Sequence, residues 1–208
     1  RGALEYFQRA SWERPQDPII HYNMGVLAET LGRIDEAVEY YLAYLRWDLY
    51  SADRDTVKRR VFQLCGKLGS RAYQNQDYNR AAAWYKKAGK LFPKARAVYF
   101  NLGKVYESMG DLQKASAYVD EYYSLSGAGD RQAAARWIAS LKLRAARATF
   151  QEGKYEEALA GFLEARKWDD ENPEAVLGLA RCEEKLGMLD RAVEHYKEYL
   201  QRAPDDGS

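Results

Sequence analysis

The stretch GRIDEAVEYYLAYL, Gly32 to Leu45, is written again as GDLQKASAYVDEYY at Gly110 to Tyr123 and as GMLDRAVEHYKEYL at Gly187 to Leu200. Each copy opens on a glycine, places an alanine five residues on (Ala37, Ala115, Ala192) and a tyrosine near its end (Tyr44, Tyr122, Tyr199). The alanine belongs to a wider series, Ala3, Ala37, Ala81, Ala115, Ala158 and Ala192. A larger residue follows each after four positions: Phe7, Tyr41, Tyr85, Val119, Phe162 and Tyr196. That spacing puts a small and a large residue on one face of a helix packed closely against another. Before each of the last five alanines lies a second amphipathic segment ended by a turn: LGRID, NQDYN, MGDLQ, EGKYE or LGMLD. Glycine or a small polar residue there stops one helix and lets the next begin.

Repetition on this scale dictates an architecture of stacked units. The pattern resembles the tetratricopeptide repeat family, whose unit is a helix pair of about 34 residues. Units then run over 18–51, 62–95, 96–129, 139–172 and 173–206, after the second helix of a truncated unit at 1–17. Counting from each unit's first residue, the eighth is small (Gly25, Gly69, Gly103, Ala146, Ala180) and the seventh is mostly large (Met24, Leu68, Leu102, Ala145, Leu179). A glycine inside a helix costs roughly 1 kcal/mol against alanine, so three at one place imply close helix approach. The closing proline of the family is met at Pro15, Pro93 and Pro204, with Pro173 beginning a unit. Its tryptophan at the fourth place gives way to His21, Cys65, Tyr99, Lys142 and Val176. The resemblance implies an all-α, right-handed superhelical solenoid of antiparallel helix pairs, a single array over 1–208.

The spacing departs from that family in an ordered way, because 52–61 and 130–138 are extra. Apolar residues continue through them at helical spacing, by way of Val57, Val61, Leu64 and Leu68 and of Ala134, Ile138, Leu141 and Ala145. Asp53 and Asp130 read as N-caps. Alternate units are therefore expected to carry elongated first helices of about 24 residues, or about 36 Å. In the second helices Ala10, Tyr44, Ala88, Tyr122, Ala165 and Tyr199 alternate in step. A tyrosine buries about 150 to 250 Å², so each is expected to lie beneath a long neighbour. Tyr199 then anticipates another long helix beyond Ser208, in a longer array.

Chemistry is sparse. The 32 basic and 31 acidic residues leave a formal charge of +1, which argues against nucleic acid as partner. No apolar run approaches the about 18 residues of a membrane span, so no membrane insertion is expected. Cys65 and Cys182 stand apart from each other and from any histidine cluster, which leaves no zinc or disulfide pattern. Both read as small core residues, and His21 and His195 as packing between helices. The GAG at 127–129 follows a helix and reads as a turn, while Asp169, Asp170, Asp205 and Asp206 read as solvated. No catalytic constellation, metal site or cofactor is implied, and nothing assigns a compartment.

What remains is the concave surface that the resemblance assigns to the first helices. It implies groove residues at the second, fifth, sixth, ninth, twelfth and thirteenth places of each unit. The sixth runs Asn23, Lys67, Asn101, Arg144, Gly178, and the ninth ends Lys104, Arg147, Arg181. Aromatics appear in alternate units as Tyr22 and Phe100 at the fifth place and as Tyr73 and Phe150 at the twelfth. Asparagine can meet both N–H and C=O of an extended peptide, and the cations would take a carboxylate. Some family members clamp a partner's terminal carboxylate at comparable places. Asn101 and Arg144 fit that clamp, but Gly66 and Ser70 do not, so it is incomplete. The KRR at 58–60 reads as a solvated face. The expected function is a non-enzymatic scaffold that binds an extended acidic segment of a protein partner. The alternatives are self-association through uncapped terminal units, or the recognition region of a larger enzyme or sensor.

Overall fold

In a computed structural model of the chain, residues 2–203 are described, except for the side chains of Ala3 and Leu4. Pro204, Asp205 and Asp206 lie outside them. The described residues form eleven helices and no strand. They are α1 (Gly2–Glu13), α2 (Pro18–Thr30), α3 (Ile34–Trp47), α4 (Arg54–Gln74), α5 (Tyr78–Leu91), α6 (Arg96–Ser108), α7 (Leu112–Leu125), α8 (Ala128–Gln151), α9 (Tyr155–Trp168), α10 (Pro173–Lys185) and α11 (Leu189–Arg202). They group into two compact units, Arg1–Val98 and Tyr99–Ser208, the division falling within α6. Inside each unit helices pack chiefly on their neighbours in chain order, as repeat arrays do.

Each helix pair turns through one residue in left-handed backbone: Gly32, Gln76, Gly110, Gly153 and Gly187, with φ between 60 and 79°. The residue after it sends its N–H back five positions, as Arg33 does to Ala28 and Asp77 to Ala72, both at 2.9 Å. This bond satisfies carbonyls that a helix end would otherwise leave unpaired. Asp77 and Asp111 then cap the following helix, their carboxylates accepting N–H bonds of 3.0 Å.

The pairs close on small residues. A Cβ on Gly25 would lie 2.6 Å from the Tyr41 ring, one on Gly69 2.7 Å from Tyr85, and one on Gly103 2.7 Å from Val119. Ala37, Ala81, Ala115, Ala158 and Ala192 of the second helices are buried.

The alternation of helix length is as expected. Helices α2, α6 and α10 have 13 residues each, whereas α4 has 21 and α8 has 24. What anchors the extensions differs from expectation. Asp53 stands before α4 in helical backbone and makes no side-chain cap, and Asp130 lies inside the first turn of α8, which begins after Gly127. The GAG segment is thus a helix start. The neighbouring arginines do the anchoring. Arg54 donates to the carbonyls of Leu45 and Asp48 at the end of α3, and Arg131 to that of Ser126 after α7 at 3.1 Å. A guanidinium at a helix C-terminus satisfies its last carbonyls and complements the negative end of its dipole. Along the extensions Val57, Val61, Leu64, Ala134, Ile138 and Leu141 are buried, but Ala145 is exposed.

The two tyrosines before the long helices are not equivalent. Tyr44 is 6% exposed and packs on Tyr22, ring centres 5.6 Å apart. Tyr122 is only half-buried. It meets Phe100 at 5.3 Å, and Trp137 of the α8 extension covers Phe100 in turn at 5.5 Å. The long helix therefore reaches Tyr122 through an intervening ring. Tyr44→Ala is expected to cost about 3 to 5 kcal/mol, as large buried aromatics do, and Tyr122→Ala at least about 1 kcal/mol less. Denaturant unfolding of both variants checks this, and equal losses would show that exposure does not govern the difference.

Candidate functional site

In the second unit α8, α9 and α10 enclose a cavity of about 250 Å³. Phe150, Phe162 and Leu177 give it an apolar floor, and Arg147, Glu174 and Arg181 surround it. Gly178 makes room for that floor. A Cβ there would sit 2.4 Å from the Phe162 ring, so only glycine lets the ring lie across the α10 backbone. The half-buried Phe150 ring is braced by Tyr155 at 5.2 Å. Arg147 pairs with Glu174, whereas Arg181 is exposed and makes no ion pair among the described residues. Gln151 adds an exposed amide able to donate and accept.

Glutamates at the twelfth place of three helix pairs hold the neighbouring polar groups. Glu29 accepts from the Tyr41 hydroxyl at 3.2 Å and from Arg60 Nε at 3.0 Å. Glu107 accepts from the Trp137 indole at 2.8 Å and from Arg144 Nη1 at 2.6 Å. Glu184 accepts from the Tyr196 hydroxyl at 2.6 Å. Burial, reinforced by that bond to a carboxylate, pushes the Tyr196 phenol up to about 12. Within the largely exposed KRR segment two cations are already paired, Arg60 with Glu29 and Lys58 with Asp55 at 3.1 Å.

The expected groove residues thus fall into distinct groups. Arg147, Phe150 and Arg181 come together at the cavity. Arg144 is bound to Glu107 instead. Phe100 is packed between Tyr122 and Trp137, with the Lys104 ammonium over its ring at 5.4 Å, and Asn101 beside it is half-buried. In the first unit Tyr22 packs on Tyr44, Tyr73 on Tyr78 at 5.5 Å, Asn23 is half-buried and Lys67 is exposed. Leu143, at a fifth place, does not face a groove: it is 6% exposed, in a core with Ala175 and Leu179. Glu174, Gln151 and Gly178 fall at second, thirteenth and sixth places, in rows the sequence assigned to the groove, but nothing in the sequence singled them out within those rows as partner-binding residues.

Among the described residues no group of three histidines, cysteines or carboxylates is placed to hold a metal, and no helix is long and apolar enough to cross a membrane. His21 bonds the Pro15 carbonyl at 2.8 Å, and His195 the buried Glu183 carboxylate at 2.6 Å. His195 thus bridges α11 and α10, whereas His21 ties α2 to the turn before it.

Models of the tetratricopeptide repeat match residues 1–53, 97–128 and 149–208, and a TPR repeat model matches 69–110. The chain belongs to the tetratricopeptide repeat family. The photosystem I assembly protein Ycf3 of Prochlorococcus marinus, strains NATL1A and NATL2A, is 28% identical over 109 residues. That is 52% of this chain and 58% of the relative, so the chain spans little more than half the length of these curated relatives. Among solved structures, YrrB, described as a TPR protein with an unusual peptide-binding site, is 18% identical. The match covers 98% of this chain and 95% of YrrB, at a TM-score of 0.41. MamA from Desulfovibrio magneticus RS-1 is 15% identical, over 92% and 97% of the two chains, at a TM-score of 0.44. Family membership supports a protein-interaction scaffold.

Cys65 and Cys182 of this repeat protein are fully buried, and burial pushes both thiols up to about 11. The reactive thiolate is therefore scarce at neutral pH. At about pH 8 the folded protein is expected to leave both unmodified by a thiol reagent over a period in which denatured protein reacts completely. Rapid labelling of the folded protein, followed by mass spectrometry, would contradict their burial.

Proposed function

We propose that the protein is a non-enzymatic scaffold that holds an extended, acidic segment of a protein partner against its first helices. The observation that carries this reading is the cavity at Arg147, Phe150 and Arg181. It offers an apolar floor for one side chain, an amide at Gln151, and in Arg181 a cation with no ion pair among the described residues. A charge-assisted bond to Arg181 is worth about 1.5 to 3 kcal/mol, enough to select a carboxylate at that point of the segment. Arg144 and Arg147 contribute less to such selection, because Glu107 and Glu174 already neutralise them. The assembly role in the name of the curated relatives belongs to the same broad class of protein handling.

The test uses arrays of short peptides with a central leucine or phenylalanine and either acidic or neutral flanks. The best binder is then measured by fluorescence anisotropy. Acidic peptides are expected to bind more tightly, and Arg181→Glu to weaken them about 10- to 100-fold. Arg144→Glu should have a smaller effect, and added salt should lower the affinity. An unchanged affinity in Arg181→Glu removes the cavity from consideration.

A second reading, association between copies, is favoured by one face of α11. There Leu189, Val193 and Leu200 are 63%, 50% and 53% exposed. Apolar side chains that line up at helical spacing and remain in water mark a surface suited to a partner. Light scattering over a concentration series should then show oligomers that Val193→Glu disperses. A monomer at every concentration excludes this reading.

A further inference from the structure

The α4 extension has a side that its packing on α3 does not use. Arg59 and Phe62 of α4 face Leu91, Phe92, Lys94 and Ala95 across a cavity of about 750 Å³, all within the first unit. Its walls are mostly apolar. The Phe62 and Phe92 rings meet edge to face at 5.2 Å, yet both side chains and Leu91 are only half-buried. The hollow is open to solvent, a ledge rather than an enclosed pocket.

The charge around it is one-sided. Of the three cations at 58–60, Lys58 is paired with Asp55 and Arg60 with Glu29. Arg59 bonds the Thr56 hydroxyl at 3.5 Å and makes no ion pair among the described residues, although Asp55 also feels its charge, less than that of Lys58. Across the cavity Lys94 is exposed and makes no ion pair among the described residues. Among the described residues no carboxylate lines the cavity. An apolar hollow between two cations that form no ion pair among the described residues complements an apolar group that carries negative charge on either side.

We propose that this ledge is a second docking surface, which takes an acidic segment of a partner protein by inserting one aromatic or leucine side chain over Phe62 and Phe92. Arg59 and Lys94 then meet carboxylates flanking that anchor. The buried side chain supplies most of the affinity, and the cations fix sign and register. This surface is built from first-unit residues only and shares none with the cavity at Arg181, so each can fail without the other.

Three synthetic peptides test it: a central tryptophan flanked by glutamates, the same with lysines, and a glutamate peptide without tryptophan. Each is titrated into the full chain and followed by amide shifts and by anisotropy. The glutamate–tryptophan peptide is expected to move the amides of Leu91, Phe92 and Lys94, and to bind at least about tenfold more tightly than the other two. Arg59→Glu combined with Lys94→Glu, both at exposed positions, should weaken it by at least about tenfold, while Arg181→Glu leaves it unchanged. Equal binding of the lysine peptide, unaltered affinity in the charge-reversed variant, or no binding at about 1 mM overturns the proposal. So does a dimer that the peptide dissociates and the charge-reversed variant no longer forms, because a second copy would then be the occupant.

Discussion

The helix pairs depend on a ring, or a branched side chain, lying across a position with no side chain of its own. Tyr41 covers Gly25, Tyr85 covers Gly69 and Val119 covers Gly103, each at a distance a methyl group could not share. Glycine in mid-helix carries a cost of roughly 1 kcal/mol, and close packing against a large apolar group offsets it. Where the eighth residue is Ala146 the small partner moves to the other helix. Gly161 lies opposite, where a Cβ would stand 2.9 Å from that of Ala146. What recurs in these four pairs is a residue without a side chain at the crossing, on one helix or the other. Gly178 applies the same device between neighbouring pairs, and there it also shapes the floor of the candidate site.

Once the helices are that close, polar groups near the crossings need partners, and the twelfth-place glutamates supply them. Glu29 and Glu107 are equivalent residues that solve the problem with different donors. Glu29 takes a tyrosine hydroxyl and the extension residue Arg60; Glu107, opposite Val119, takes the extension residue Trp137 and the cation Arg144. The extensions thus have two attachments, an arginine onto the preceding helix end and a mid-helix donor onto a glutamate. This internal use of charge bears directly on recognition. A surface that looks basic in sequence is partly neutralised, and cations that form no ion pair among the described residues persist at particular places such as Arg181, Arg59 and Lys94.

Much of the architecture was legible in one dimension. The alanine series, the turns around Gly32, Gly110, Gly153 and Gly187, and the apolar runs through 52–61 and 130–138 specify helix type, helix order and the alternation of lengths. Their signals are local and repeat along the chain. The Asp-Arg pairs at 53–54 and 130–131 show the limit of such reading. Aspartate before a helix suggested a cap, but the arginine next to it makes the tie, because its long side chain reaches the end of the previous helix.

The sequence by itself determined the repeat family, the two-unit alternation and the rows in which partner-facing residues were to be sought. Only the tertiary structure decided which members of those rows are available. Arg144 and Glu107 are 37 residues apart, and Arg60 and Glu29 are 31 apart. Their pairing follows from side-chain reach between helices that the periodicity brings together but does not position to the nearest ångström. The same holds for the cavity at Arg181, which exists because Gly178 admits the Phe162 ring. A pattern of residue types records that a place is small or charged. The distances across a packed crossing decide whether it is filled, paired or left open.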